Sequence, residues 1–521
     1  MPQPFATLAE AASALQSGTV GSRELVESAL ADAELLDPLL GVYVTRFPEQ
    51  ALAAADAADR VPAGERGALH GLPLAVKDNL ATVEGSPTAQ SPVHDPLWWR
   101  GCDAPAVARL RAAGAVVLGK TTMVEYAMGR PDPAHPFPVP RNPWDPERWT
   151  GGSSTGNGAG IAAGLFLGAL GSDTAGSVRL PAALCGATGL KTTSGLLPND
   201  GCVPLSPSQD VLGPMAVSAR DCGLLLDAMT GQAPRTPTAE GVRGLRVGVP
   251  FGLLDGPAIT PPCRAAFQDA LRTLRELGAE VREFELPEFG ALLAVNAVTM
   301  LAEAFAVHGE RLAADWDGHG RGFRRLAAAG ALLPAHVYLR VQHNRERLTA
   351  LLLERMDGPG GVDLIATPTW PASARPYTQE TAPGDELNLT AVWNPTGFPA
   401  LALPMGADPA GLPLSLQLVA RRGGEHTLIA AGETFQSATT WHLRRAAPDP
   451  RQRPAPLRDP EHTRPEPVPA APPARAPGDG DGDDGAEAAL AALGITAGPA
   501  DLAVIRAVSR MLNDAGRQPV A

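Results

Sequence analysis

The sequence has few cysteines for its length, and they are not arranged as a disulfide framework or a zinc site. Five occur in 521 residues, and no two form a C-x-x-C pair: Cys102, Cys185, Cys202, Cys222 and Cys263. Structural and catalytic zinc sites need closely spaced Cys and His ligands, so no metal is expected. Scattered thiols in odd number are typical of reduced cysteines, which favours a cytoplasmic protein.

Several binding signatures are also missing. There is no P-loop, no G-x-G-x-x-G after a strand and no H-E-x-x-H. The net charge of -13 argues against a nucleic-acid partner. Met1 to Ala11 lacks the features of a signal peptide, and the apolar stretch from Ala159 to Leu170, about 12 residues long, is too short to cross a bilayer. We therefore expect a soluble chain without a membrane partner.

Three glycine-rich clusters stand out against this background. They read GLPLAVKD, ending at Asp78, GGSSTG, ending at Gly156, and GSDTAGSVR, ending at Arg179. A serine hydroxyl is a weak nucleophile that needs a base, and a buried lysine becomes one when burial favours the neutral amine. A second serine can relay the proton, and glycines let backbone N–H groups converge on one point. The pattern favours a serine nucleophile activated without histidine.

The segment from Leu69 to Gly231 resembles the amidase signature family. The matching runs are LHGLPLAVKDN, GKTTMVEYAMG, NPWDPERWTGGSSTG and LGSDTAGSVRLPAALCGATGLKTTSG, with weaker similarity up to Arg445. The resemblance implies that Lys77 is the base, Ser153 the bridging serine with its own cis peptide bond, and Ser177 the nucleophile that forms an acyl-enzyme. It implies an oxyanion hole made by the backbone N–H groups of Thr174, Ala175, Gly176 and Ser177.

Four further residues are predicted to support this site: Ser154, Asp173, Arg179 and Asp210. Ser154 is expected to donate to Ser153 or to the lysine amine. Asp173 and Arg179 form either a structural ion pair, which we favour, or a clamp for a substrate carboxylate. Asp210 is expected to orient the site from the wall opposite the nucleophile loop. The neighbouring Gln209 is expected to contact substrate. The resemblance places the acyl pocket on residues 129–149 and 289–348.

Four positions depart from the family pattern, and one of them, Thr192, stands in a turn where the family commonly has proline. Thr155 and Asn157 replace Gly and Ser, and Ala175 replaces a Gly of the usual DTGGS. Alanine still supplies an N–H, so the oxyanion hole is retained if Ala175 has a negative φ. The catalytic positions are unaltered, which argues against a binding or scaffold protein with a dead site.

The function that the resemblance implies is hydrolysis of a small-molecule carboxylic acid amide, with no metal or organic cofactor. Two alternatives stay open. The run from Glu125 to Gly129 is similar to the A subunit of glutamine-dependent tRNA amidotransferases, and DTAGS is similar to hydrolases of ureido compounds such as carboxybiuret or allophanate. A homodimer is also left open.

Alternating strands and helices predict an α/β fold with a mixed, mostly parallel central sheet and helices on both faces. The catalytic domain is predicted over residues 1–447, with a helical N-terminal layer at about 5–60 and the signature core at about 69–231. Residues 448–485 are rich in Pro, Asp and Gly and predict a disordered linker. Residues 486–521 predict a short helical tail, and we favour a frayed tail over a docked one because short helices rarely persist alone. A chain ending near Ala447 is accordingly expected to stay folded and active.

Overall fold

The computed structural model describes residues 5–233, 235, 241–379, 387–457 and 483–517. Most of the predicted linker (458–482) lies outside these residues. The helices are α1 (Leu8–Ser17), α2 (Ser22–Leu40), α3 (Pro48–Asp59), α4 (Pro105–Ala112), α5 (Thr155–Ala163), α6 (Arg179–Cys185), α7 (Ala219–Thr230), α8 (Phe251–Leu254), α9 (Pro261–Glu276), α10 (Phe289–Ala314), α11 (Arg321–Ala331), α12 (Ala335–Asp357), α13 (Glu425–Ser437), α14 (Asp483–Ala492) and α15 (Pro499–Arg517).

Eleven strands form one sheet within the described ranges. They are β1 (Tyr43–Arg46), β2 (Pro73–Lys77), β3 (Val116–Thr121), β4 (Gly168–Asp173), β5 (Thr188–Lys191), β6 (Val211–Ala216), β7 (Arg246–Val249), β8 (Glu280–Glu283), β9 (Leu364–Pro368), β10 (Ala400–Ala407) and β11 (Pro413–Ala420). Their order across the sheet is β1-β3-β2-β4-β6-β5-β10-β11-β9-β7-β8.

The mixed sheet is confirmed, but the expectation that it is mostly parallel is wrong. Only β2 with β3, β2 with β4, β7 with β8 and β7 with β9 pair in parallel within the described ranges. The other pairings are antiparallel, among them β10 with β11, which are joined by the tight turn at Asp408–Leu412. A buried strand shows the same continuous apolar run in either direction, so the sequence pattern does not report strand polarity.

Helices cover both faces of the sheet, as β4 shows. A side chain at Gly168 would meet Leu225 of α7, whereas one at Gly171 would meet Asn157 of α5. Residues three apart in a strand point to opposite faces, so α7 and α5 lie on opposite sides of β4. Both approaches are close, which explains the small residues in this strand.

Helix α10 is the one helix of the described part that is long and apolar enough to cross a membrane, with a mean hydropathy of 1.7. In the structure it packs against α11, α12 and α15. It also carries Asn296 and His308, both buried and hydrogen-bonded to loops of the central domain. These contacts are those of a helix that packs inside a protein.

The C-terminal helices are docked, so our preference for a frayed tail is wrong. Helix α15 packs against α10, α11 and α12. One face of it is buried, through Leu502, Ile505, Val508 and Leu512. The helical period places these residues on one side, but it does not show that a complementary surface exists elsewhere in the chain.

Candidate active site

Lys77 ends strand β2, the third strand from one edge of the sheet, and is completely buried. Its Nζ is 2.7 Å from Ser153 Oγ, 2.9 Å from Ser172 Oγ and 3.3 Å from the Ser172 carbonyl oxygen. Burial lowers the pKa of Lys77 to about 8, against the opposing effect of nearby Cys202, Asp173 and Asp210. A substantial fraction of this lysine is therefore a neutral amine near physiological pH, which is the form that accepts a proton.

Ser153 lies on the loop before α5, next to Lys77. The Gly152–Ser153 peptide bond is cis, as the resemblance implied. The Ser153 carbonyl accepts from the Val124 N–H at 3.1 Å, and the Ser154 N–H donates to the Ser177 carbonyl at 3.1 Å. These backbone bonds hold the Gly/Ser loop between the segment at Val124 and the nucleophile loop.

Ser177 lies between β4 and α6 and keeps a small exposed fraction of 8%. Its hydroxyl makes no hydrogen bond to any residue that the structure describes. The backbone N–H groups of Thr174, Ala175 and Ser177 likewise have no acceptor within the described ranges. Ala175 is not among the residues with a positive φ, so its methyl group is accommodated. Three unoccupied backbone donors beside a serine are the arrangement that an oxyanion needs.

Gly176 departs from the expectation that it completes the oxyanion hole. Its N–H donates to Asp173 Oδ1 at 2.8 Å and is already satisfied. Glycine is nevertheless required, because φ is +126° and a Cβ atom would come within 2.1 Å of Thr390 Oγ1. Gly176 shapes the loop, and its neighbours supply the free donors.

Asp173 and Arg179 form a buried bidentate ion pair and not a clamp for substrate. Arg179 Nη2 and Nε lie 2.8 and 3.0 Å from the two carboxylate oxygens. Burial alone would raise the pKa of Asp173, but Arg179 and the loop N–H groups hold that pKa well below its usual range. Arg179 also donates to Asn394 and Gln417, which ties the loop to the C-terminal strands.

Asp210 supports the nucleophile loop from the opposite wall, as expected. Its Oδ1 accepts from the Thr174 hydroxyl at 2.5 Å, and its other oxygen accepts from the backbone of Leu205 and Ser206. Burial raises the pKa of Asp210, against these hydrogen bonds. Gln209, expected to contact substrate, is instead fully buried and bonded to Asn296.

Ser172 occupies the position that the sequence suggested for Ser154. The Ser154 hydroxyl donates to the Ser172 carbonyl at 3.4 Å and makes no hydrogen bond to Ser153 or Lys77. Ser172, which the sequence did not single out, contacts the lysine amine and also accepts from Asn79 at 2.9 Å. Ser172 lies near the end of β4, and the parallel pairing of β4 with β2 brings it to the end of β2, where Lys77 lies.

The arrangement has the parts of an acyl-transfer centre: a buried amine, a bridging hydroxyl, an unbonded hydroxyl and converging N–H groups. No group of His, Cys, Asp or Glu among the described residues is arranged to hold a metal ion.

Comparison with known proteins assigns the family. The amidase family model matches residues 24–429. The A subunit of the glutamyl-tRNA(Gln) amidotransferase of Roseiflexus sp. is 36% identical, over 84% of this chain and 97% of that protein. The putative amidase AmiD of Mycobacterium tuberculosis is 37% identical, over 84% of this chain and 95% of that protein.

Among solved structures, one described as a vestigial protein complex that reveals the origins of an s-triazine catabolic enzyme superposes with a TM-score of 0.76. It is 32% identical and covers 83% of this chain and 98% of its own. The fold, the site geometry and these matches lead to one conclusion. The chain belongs to the amidase signature family of amide-hydrolysing enzymes.

Proposed function

We propose that the chain hydrolyses a small carboxylic acid amide through an acyl-enzyme on Ser177. The observation that carries this is the contact of 2.7 Å between Lys77 Nζ and Ser153 Oγ in a fully buried site. A neutral amine at this distance accepts the Ser153 proton, while Ser153 accepts the proton of Ser177. Catalytic hydrogen bonds are often long without substrate, so the contact between the two serines is expected to form when the amide binds.

The proposed first step forms a bond between Ser177 Oγ and the amide carbon. The carbonyl oxygen becomes an oxyanion, held by the N–H groups of Thr174, Ala175 and Ser177. The proton that left Ser177 through Ser153 to Lys77 returns by the same path to the leaving nitrogen, and the C–N bond breaks. Water then attacks the ester carbon and gives a proton to the same relay. The relay returns this proton to Ser177 Oγ as the bond between Ser177 Oγ and the acyl carbon breaks, which releases the acid.

The structural neighbours of this relay also support it. Ser172 is a second hydroxyl within hydrogen-bond distance of the amine, and the ion pair of Asp173 with Arg179 fixes the loop that carries the N–H donors. Within the described ranges, the polar contacts of Lys77 are with hydroxyls and a carbonyl, and no carboxylate lies within ion-pair distance to hold it as an ammonium ion.

The experiment is intact-protein mass spectrometry after adding a panel of simple amides. We expect a mass increase equal to the acyl group, located on Ser177 by peptide mapping and absent from Ser177→Ala. Ser194→Ala is a matched control, because Ser194 follows β5, outside the three clusters. An adduct that persists in Ser177→Ala would contradict the assignment.

A second candidate is the A subunit of a glutamine-dependent tRNA amidotransferase, favoured by the relative with that description. The two functions differ in what the chain does alone. A free amidase hydrolyses simple amides without a partner, whereas one component of an amidotransferase is expected to need its partner subunits. Turnover of a simple amide by the purified chain would support the free amidase, and activity only on glutamine with added partner subunits would support the alternative.

The DTAGS run, which is similar to that of hydrolases of ureido compounds, keeps a ureido substrate as a third candidate, and the same panel should include biuret-type compounds. We further propose a cytoplasmic location. Its support is that all five cysteines are free thiols and that four of them are buried.

A further inference from the structure

The C-terminal helical pair, residues 483–517, lies beyond the part of the chain that matches the amidase family, which ends at residue 429. Its two helices, α14 and α15, are reached through residues 458–482. The second helix, α15, docks on α10, α11 and α12, which together we call the three-helix layer, and α14 packs against α15. These three helices include most of the region predicted to form the acyl pocket.

The docked face is apolar and continuous. Ile505 is fully buried, and Leu502, Val508 and Leu512 lie within 5% of complete burial on the same side of α15. Leu490 and Ile495, from α14 and the turn after it, are buried as well. The helical spacing of the α15 residues makes one apolar stripe on the side that packs against the three-helix layer.

A buried ionic contact fixes the register of this docking. Asp501, in the first turn of α15, is 5% exposed and accepts from Arg325 Nε at 2.6 Å and from Trp316 Nε1 at 3.2 Å. Arg324 Nη2 lies 2.9 Å from Asp501 Oδ2, the oxygen that also accepts from Trp316, and the same guanidinium stacks over the Trp316 ring. Removing the carboxylate would take away a buried negative charge that two arginines share, and Arg324 would keep its ion pair with the exposed Asp317.

The three-helix layer contacts the active site at two points. From α10, the Asn296 amide donates to the Thr174 carbonyl of the nucleophile loop at 3.0 Å. At the start of α11, the Gly320 N–H donates to Glu125 Oε2 at 2.8 Å, and the neighbouring Val124 N–H is bonded to Ser153. Arg324 and Arg325, which bind Asp501, lie one turn after Gly320.

We propose that the C-terminal helical pair holds the three-helix layer against the active site and thereby sets the affinity for substrate. Asp501 is a positioning residue in this arrangement: it acts through α11 on the wall that faces the acyl group and touches neither the relay nor the nucleophile. The effect on turnover rests on the proposed amidase function, whereas the docking does not.

To test this proposal, a specific protease site is inserted within residues 458–482 of the full-length enzyme. After folding and cleavage, we expect the tail to stay bound through size-exclusion chromatography and activity to be retained. Ile505→Asp should release the tail, raise KM at least tenfold and change kcat less than threefold. Met511→Asp is the matched control, because Met511 is an exposed apolar residue of the same helix.

Asp501→Asn removes the charge of the ionic contact with little change in side-chain shape. It also tests the proposal if Ile505→Asp does not fold. We expect a smaller rise in KM, of about threefold or more, and unchanged kinetics in Asp514→Asn, which removes the same charge from an exposed position of α15. Adding a peptide of residues 483–517 to the cleaved Ile505→Asp enzyme should restore KM, which a merely misfolded variant would not allow.

Two results would overturn the proposal. One is release of the tail from the cleaved parent enzyme, which would show that it is not docked. The other is a released tail in Ile505→Asp with KM unchanged, which would show that docking does not position the site. If the parent turns over no amide, the proposed function fails, yet retention of the cleaved tail still decides the docking.

Discussion

Amide hydrolysis should increase with pH as Lys77 loses its proton, because the neutral amine is the base. Burial lowers the pKa of this lysine to about 8, so about a tenth of the enzyme is in the active form at pH 7 and about nine tenths at pH 9. We therefore expect kcat/KM to rise roughly tenfold over this interval and then level off. A solvated lysine, with a pKa near 10.4, would be neutral in only about one molecule in 2,500 at pH 7.

The position of this inflection should depend on Ser172. Its hydroxyl accepts a hydrogen bond from Lys77 Nζ at 2.9 Å, which stabilises the ammonium form more than the amine. Ser172→Ala removes this acceptor and leaves a less polar site, and both changes favour the neutral amine. A hydrogen bond to a charged group contributes about 1.5 kcal/mol, so the apparent pKa should fall by about one pH unit.

Ser154→Ala is the matched control, because the Ser154 hydroxyl bonds the Ser172 carbonyl and not the amine. The assay is kcat/KM on one amide from pH 6 to pH 10, in buffers of constant ionic strength. Its inflection should stay near pH 8 in Ser154→Ala and move to lower pH in Ser172→Ala. A rate that falls between pH 7 and pH 9, or an inflection that Ser172→Ala leaves in place, would refute a neutral Lys77 as the base.

Three further changes test the nucleophile loop. Ser177→Ala should lower kcat by about 10⁴-fold or more with thermal unfolding unchanged, since it removes only an unbonded hydroxyl; substantial residual turnover would contradict its role. Arg179→Ala leaves Asp173 without its buried partner and should lower the free energy of unfolding by about 3–5 kcal/mol, measured by urea titration. A loss below about 1 kcal/mol would show that the ion pair is not needed for stability. Gly176→Ala meets Thr390 Oγ1 and should lower both stability and kcat, whereas Gly195→Ala, also at a positive φ but in open space, should lower stability alone.

The fold was predictable where strands are continuous apolar runs bounded by glycine or proline. Apolar runs in the sequence predict strands at 71–76, 115–118, 245–249, 362–366, 400–403 and 412–419, and these correspond to β2, β3, β7, β9, β10 and β11. Strands β1, β5, β6 and β8 were not predicted, and of these β1 and β8 are short and partly polar. Whether neighbouring strands run parallel or antiparallel was not predictable either. It depends on how the chain connects one strand to the next and not on the side chains of the strands.

The site was predictable where one short motif carries both the residue and its chemistry. Lys77, Ser153 and Ser177 each lie within such a motif, and the structure brings their loops together. The role of Ser172 was missed because it depends on a pairing between β2 and β4 that no local pattern shows. The Gly176 N–H was wrongly assigned to the oxyanion hole. It donates instead to the Asp173 carboxylate of the same loop, and the motif alone does not show this hydrogen bond.

A lysine base differs from a histidine base in what it demands of the rest of the chain. Imidazole titrates near neutral pH in water, whereas an amine does so only when it is enclosed. Lys77 lies on β2, but the wall around its site is assembled from distant segments: Asn394 and Gln417 anchor the nucleophile loop through Arg179, and Asn296 of α10 anchors it through Thr174. Any segment that holds this wall in place therefore contributes to the affinity for substrate, including helices that lie far from the lysine in sequence. The proposed role of the docked C-terminal pair therefore predicts that a chain ending near Ala447 loses substrate affinity, whereas the sequence alone predicts that this chain stays folded and active.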